Sequence, residues 1–161
     1  MQAMTFLGSI GFLTALFAIL VAAWLLRGKK RPAAWLAIAV GGSVILDVAL
    51  KLTFHRARPT PFVGAAPASY SFPSGHALSS FCFYGVLAGL LCARVESRAL
   101  RGLIWGVAGA LVFCIGLSRI YLGVHYPTDV LAGYIAAAAW VSTLLVAQRA
   151  KRHIRPRVQR D

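Results

Sequence analysis

SFPSGHALSSFCFYGVLAGLLCA, residues 71–93, places proline, serine, glycine and histidine at 73–76 and continues as an almost uninterrupted apolar run. The run from 75 to 93 is long enough for a helix to cross the hydrocarbon core of a bilayer, which takes about 20 residues at ~1.5 Å rise each. Four further runs of that kind occur, over 4–26, 33–54, 102–120 and 128–148, separated by polar or basic joints. Backbone groups in lipid must be satisfied within their own segment, so each run is expected to be helical. The chain therefore reads as all-α: a polytopic transmembrane helical bundle with about five spans. It forms a single domain over 1–148, followed by a basic tail at 149–161.

Composition agrees. Of 161 residues, 59% are hydrophobic and 13% charged, and the mean hydropathy is +0.73. The net charge of +13 would suit a nucleic-acid partner if it formed one surface with a recognisable module, but its distribution follows the spans instead. Arg27, Lys29, Lys30 and Arg31 fill the first joint, Arg94, Arg98 and Arg101 the third, and Arg149, Lys151, Arg152, Arg155, Arg157 and Arg160 the tail. With alternating helices these all fall on one side, which the positive-inside rule makes cytoplasmic, with the N-terminus outside. The tail can also touch anionic headgroups. Membrane lipids are the expected surroundings, and nucleic acid is not an expected partner.

The first run lacks a basic n-region and exceeds the length of a signal-peptide core, so it is expected to be a retained span. Cys82, Cys92 and Cys114 all lie in apolar runs; an odd number buried in helices reads as small packing residues rather than a disulfide framework. Gly85-x-x-x-Gly89 and Gly102-x-x-x-Gly106 have the spacing that lets membrane helices approach closely. Trp24, Trp35, Trp105 and Trp140 suit interface anchoring or bundle packing. The longest outer joint, about 55–73, holds Pro59, Pro61, Pro67 and Pro73 and cannot be one helix. Its Phe62, Tyr70 and Phe72 suit a lid, a lipid-facing lip or simply an ordered loop.

Lys51, Arg56, Arg58 and Arg119 are the basic residues that the topology does not explain, since all lie at the outer helix ends. Asp47, inside the second run, is placed to pair with Lys51 at i, i+4. Three short stretches meet at this end: Lys51 to Pro59, Pro73-Ser74-Gly75-His76, and Ser118-Arg119 through His125 to Asp129. A helix N-terminus offers free N–H groups and a partial positive charge, a seat for an anion. Ser74 can cap that helix or donate its hydroxyl, and Gly75 leaves the backbone open to a ligand. Lys51, Arg58 and Arg119 add fixed charge suited to phosphate oxygens, in the ground state and in a phosphoryl transition state.

Two histidines divide the chemistry. His125 precedes Asp129 by four residues, and Pro127 suits the first turn of the last helix. The carboxylate can accept a hydrogen bond from one ring nitrogen and leave the other as nucleophile. The cations oppose protonation of His125, and Asp129 offsets part of that. His76 is the candidate general acid for the leaving oxygen. Two histidines and an aspartate can also ligate zinc, but three cations oppose a divalent ion here. No metal and no cofactor is expected.

Lys51-x6-Arg58-Pro59, Pro73-Ser74-Gly75-His76 and Ser118-Arg119-x5-His125-x3-Asp129, in that order, resemble the three-part signature of the type 2 phosphatidic acid phosphatase family, with every signature position filled. The same superfamily includes bacterial acid phosphatases and vanadium haloperoxidases; the haloperoxidases are typically soluble, and five spans argue against that branch. The resemblance implies an integral membrane lipid phosphatase that works through a phosphohistidine without metal. His125 would attack phosphorus, Asp129 would support it and His76 would protonate the leaving group. Lys51, Arg58, Ser74, Gly75 and Arg119 would hold the phosphate. Membrane members commonly have six spans, whereas this chain shows five, the missing one lying before the motifs. Bacterial members point to undecaprenyl diphosphate, phosphatidic acid or phosphatidylglycerol phosphate as substrate. A compact chain with an outward-facing site leans towards the first, at a bacterial inner membrane. A non-catalytic lipid-binding or transport protein is the reading from another class.

Overall fold

Residues 1–62 and 68–154 are described in a computed structural model; the part of the outer joint at 63–67, including Pro67, and the tail from Arg155 onward lie outside the described residues. The elements are α1 (Gln2–Leu7), α2 (Ile10–Leu26), α3 (Lys30–Phe54), α4 (Gly75–Cys92), α5 (Arg98–Tyr121) and α6 (Pro127–Ile154). Among the described residues there is no strand. Helices α3, α4, α5 and residues Pro127–Ala150 of α6 are long and apolar enough to cross a membrane.

The first apolar run is not one helix. It breaks at Gly8-Ser9, where the Ser9 hydroxyl accepts from Phe12 N at 3.3 Å and caps α2. Serine at an N-cap satisfies a donor that would otherwise go unpaired, so the chain restarts there. Helix α2 keeps 17 residues, about 26 Å long and a little short of the hydrocarbon thickness. Helix α1 folds against α5, where Thr5 Oγ1 lies 2.7 Å from Ser118 Oγ and Tyr84 Oη donates to Leu7 O at 2.8 Å.

Helix α4 is central, packed against α3, α5 and α6. A helix enclosed on most sides has to be apolar most of the way round, which is why its sequence shows no polar stripe. Leu78, Cys82 and Phe83 are buried along it, with Leu36 and Ile115 buried from the flanking helices. The outer surface is apolar as well: Leu26 is 90% exposed, Ile45 72% and Val146 65%. Contiguous apolar surface of this kind is out of place in water and in place against lipid.

Close helix contact occurs at other glycines than the two spaced pairs predict. At Gly102 and Gly106 an added Cβ would meet nothing within 4 Å, and at Gly85 and Gly89 its nearest neighbours would be 3.9 Å away. At Gly42, by contrast, it would stand 2.1 Å from the Trp140 ring, whose Nε1 donates to Ala39 O at 3.1 Å. Trp140 thus joins α6 to α3 through a gap that only glycine leaves open. Replacing Gly42 with alanine is expected to cost about 1–3 kcal/mol through overpacking, read as a lower unfolding midpoint in detergent; an unchanged midpoint would show that this contact is not tight. All three cysteines are free thiols, Cys82 and Cys92 buried and Cys114 partly so.

Candidate active site

The C-terminal ends of α3 and α5 and the N-terminal ends of α4 and α6 meet at one end of the bundle, and the three sequence stretches meet with them. The turn between α5 and α6 is local in origin. Helix α5 ends at Tyr121 with Leu122 as its C-cap, and Gly123 follows with φ +68°, the left-handed conformation that glycine adopts freely after a helix end. Val124 N then donates back to Arg119 O at 3.2 Å. Pro127 opens α6, so His125 is held between two fixed helix ends and is 4% exposed.

The hydrogen bonds assign the His125 tautomer. Its Nε2 lies 3.0 Å from Arg58 Nη1. A guanidinium only donates, so Nε2 is the acceptor and the ring proton is on Nδ1. Nδ1 faces Ser71 Oγ at 3.4 Å and Asp129 Oδ2 at 3.6 Å. The second distance is too long for a hydrogen bond. Ser71 lies between, its hydroxyl donating to Asp129 Oδ2 at 2.5 Å. The orienting chain runs from imidazole to hydroxyl to carboxylate rather than from imidazole to carboxylate alone. Burial, together with the charges of Arg58 and Arg119, pushes the His125 imidazole well below its usual range; Asp129 offsets only part of this and Lys51 adds to the depression. The ring is neutral, and its Nε2 lone pair accepts from Arg58.

Asp129 is fully buried and well supplied with donors: Ser71 Oγ, Arg56 Nη1 at 2.8 Å and Tyr126 N at 2.9 Å. Arg56 also donates to Thr128 Oγ1 at 2.8 Å and stacks on the Tyr126 ring, 4.2 Å from its centroid. Ser71 and Arg56 are the two residues that sequence reasoning left out of the site. Arg56 carried a signal, being one of the four basic residues unexplained by topology. Ser71 carried none.

Arg58 is anchored by the joint before α4, donating to Ser69 O at 2.7 Å, Ser69 Oγ at 2.9 Å and Tyr70 O at 3.2 Å, and across to Val124 O at 2.8 Å. Burial lowers its pKa, and the Asp129 and Asp47 carboxylates oppose that shift. The joint is held to α3 by aromatic pairs, Phe54 with Phe72 and His55 with Tyr70, each with centroids 4.7 Å apart. Tyr70 and Phe72 thus pin the joint, while Phe62 is 78% exposed.

Ser74 sits at the N-cap of α4, yet its side chain makes no capping hydrogen bond. Its Oγ is buried without a partner among the described residues, and so is Nε of Arg119 in the last turn of α5. Buried polar atoms are rarely left unpaired, and these two belong to residues the sequence assigns to phosphate. His76 follows in the first turn of α4, half-buried, with Cδ2 3.3 Å from where a Cβ on Gly8 would stand. Lys51 Nζ donates to Pro73 O at 3.0 Å and pairs with Asp47, the i, i+4 partner expected. The open backbone face of Gly75 is not vacant: an added Cβ would lie 3.1 Å from both Asp47 carboxylate oxygens. A cavity of about 570 Å³ adjoins the cluster, lined by Lys51, Arg56 and Arg58 together with Val48, Leu52 and Tyr70.

A bundle of membrane-length helices with a histidine–serine–aspartate chain and a cationic cluster at one end defines an integral membrane protein carrying a buried cationic site. The PAP2 superfamily model matches residues 32–153, and the chain belongs to that family. It is 33% identical over 135 residues to phosphatidylglycerophosphatase B of Bacillus subtilis, covering 83% of this chain and 66% of that protein. It is 34% identical over 93 residues to an undecaprenyl-diphosphatase of Sulfolobus acidocaldarius, covering 58% and 40%. The crystal structure of a transmembrane PAP2 type phosphatidylglycerolphosphate phosphatase from Bacillus subtilis superposes with a TM-score of 0.79 at 30% identity, over 94% of this chain and 75% of that one. The chain thus spans less than two thirds of the length of these two curated relatives.

Proposed function

We propose that the protein is a membrane lipid phosphatase that forms a phosphohistidine on His125. The observation that carries this reading is the placement of His125: its Nε2 accepts from Arg58, its ring feels the charge of Arg119, and at the same end of the bundle Arg119 Nε and Ser74 Oγ are buried without partners among the described residues. As the phosphate binds, the Arg58 Nη1 donor passes from Nε2 to a phosphoryl oxygen; the freed Nε2 attacks phosphorus as the bond from phosphorus to the leaving oxygen breaks, and His76 delivers a proton to that oxygen. Asp129, through Ser71, holds the imidazole and stabilises the positive charge that develops on it. Water then attacks phosphorus with His76 as base, the P–N bond breaks, and phosphate leaves. Lys51, Arg58, Arg119, Ser74 and the start of α4 at Gly75 hold the phosphoryl oxygens. No step in this route calls for a metal ion.

The adjoining cavity favours an amphiphile. Lys51, Arg56 and Arg58 line it together with Val48 and Leu52, which lie on α3 beside Lys51 and are 50% and 61% exposed, where a lipid tail would continue into the bilayer. By the distribution of basic residues the site faces the periplasm or outside and the tail from 149 faces the cytoplasm, with the phosphatase domain spanning 1–148. Undecaprenyl diphosphate is the substrate that a compact, outward-facing site suits. Similarity to the Bacillus subtilis enzyme favours phosphatidylglycerol phosphate as the second reading.

The test is phosphate release by detergent-purified protein in the presence of a chelator, with undecaprenyl diphosphate, phosphatidylglycerol phosphate and phosphatidic acid offered in parallel. Release from at least one lipid is expected to survive chelation. A folded protein that releases phosphate from none, or only without chelator, would overturn the proposal.

A further inference from the structure

An i, i+4 ion pair on a helix ordinarily involves that helix alone and contributes little. Asp47 and Lys51 in α3 do more. Their side chains are 21% and 13% exposed, and both reach the beginning of α4. The Asp47 carboxylate lies against Gly75, close enough that an added Cβ, 3.1 Å from both of its oxygens, would press it aside by a few tenths of an ångström. Lys51 Nζ donates to Asp47 Oδ1 and to Pro73 O, two residues before α4 begins. An ammonium has three donors and no acceptor, so two are committed and one remains.

We infer that Asp47 is a positioning residue for phosphate binding: it fixes the Lys51 ammonium at the start of α4, and residue 75 is glycine so that this carboxylate fits. The inference rests on the reading that this pocket binds the substrate phosphate. A lysine stem is long and flexible, and ordering it at the moment of binding costs rotamer entropy. Clamped by a carboxylate and a carbonyl, Lys51 has lost that freedom before the ligand arrives, and its third donor meets the phosphate from a fixed place. The sequence alone suggests ligand access as the reason for Gly75; the contact with Asp47 supplies a different one. It also gives two residues on different helices a single shared effect, which can be measured.

Orthovanadate serves as the phosphate-site probe, with the full chain in detergent. Asp47→Asn is expected to weaken vanadate inhibition about tenfold, the scale of one charge-assisted contact, and to raise KM in step while kcat changes less. A purely structural role would reduce the amount of active protein and leave KM and the inhibition constant unmoved. Gly75→Ala, by pushing the carboxylate aside, is expected to do the same, and the double variant to be no worse than the more severe single one. Vanadate binding by Asp47→Asn as tight as native or tighter overturns the inference, as do effects of the two substitutions that multiply. If Asp47→Asn does not fold, the pair becomes Gly75→Ala with Lys51→Ala: removing Lys51 must erase the effect of Gly75→Ala, and an undiminished effect overturns the inference. Native protein that neither releases phosphate nor binds vanadate overturns the phosphate-site reading itself, a result distinguishable from failure of the Asp47 variants alone.

Discussion

Replacing His125 with alanine is expected to lower phosphate release by a factor of about a thousand or more, the largest effect of any single substitution in this chain. The nucleophilic nitrogen is lost outright, and nothing near it can substitute: Arg58 and Lys51 only donate, and the Ser71 hydroxyl is engaged with Asp129. His125 is held from both sides, by Arg58 at Nε2 and by Ser71 at Nδ1, but both partners have other hydrogen bonds. The unfolding midpoint should therefore change far less than the rate. The decisive measurement is acid-labile phosphate bound to the protein after a rapid quench. It should label the native chain and be absent from His125→Ala; equal labelling of both would place the covalent step on another residue. Because the imidazole is pushed well below its usual range, labelling of the native chain should not fall between pH 7 and pH 5 through protonation of His125.

The second largest effect is expected at Asp129. Asp129→Asn keeps the shape of the side chain and removes its charge, and should lower kcat by about 10²–10³-fold. Three donors converge on the buried carboxylate, from Ser71, Arg56 and Tyr126. An amide has only one oxygen to offer them, and its NH₂ faces at least one donor. The Ser71 hydroxyl then turns away or competes with Nδ1, and the imidazole loses the support for its developing charge. Arg56 loses its ionic partner at the same time. A stability loss of about 2–4 kcal/mol is expected to accompany the rate effect. Kinetics and thermal unfolding on the same preparation separate the two. A variant that is destabilised but retains native kcat per folded molecule would leave Asp129 as scaffold and remove it from the chemistry.

The two substitutions probe parts of the site that differ in how they could be read. His125 and Asp129 are four residues apart, flanking a proline that starts a helix, and their pairing follows from local geometry. Ser71 joins them from 54 and 58 residues away, and Arg56 reaches Asp129 across 73. No spacing rule connects such positions. Arg56 could be suspected because a cation at that end of the bundle served no topological purpose, whereas a serine has no comparable cost and leaves no trace. Ser74 shows the opposite case: its position at an N-cap was legible, but its hydroxyl is not used as a cap.

The same division holds for the fold. The spans near 33–54, 75–93, 102–120 and 128–148 were legible because lipid forces each backbone to satisfy itself within its own segment, so the decisive information is local. The first run reads as one span by the same rule, and a single capping serine breaks it; hydropathy averaged over twenty residues does not register one hydroxyl. Of the spaced glycine pairs, Gly102 and Gly106 have no contact behind them and Gly89 only an ordinary one with Trp105, while Gly42 matters because Trp140, 98 positions later, folds over it.

By itself, then, the sequence determined an all-helical membrane protein, the end of the bundle where charge collects, and the three stretches whose residues meet there. Each of these follows from apolar length, helix termini or motif spacing, all short-range. Only the tertiary structure decided that Ser71 stands between His125 and Asp129, that Arg56 holds the carboxylate, and that Asp47 rather than open space lies over Gly75. Those contacts are made by helices packing side by side, and packing is fixed by the shapes of distant side chains, which no local pattern records.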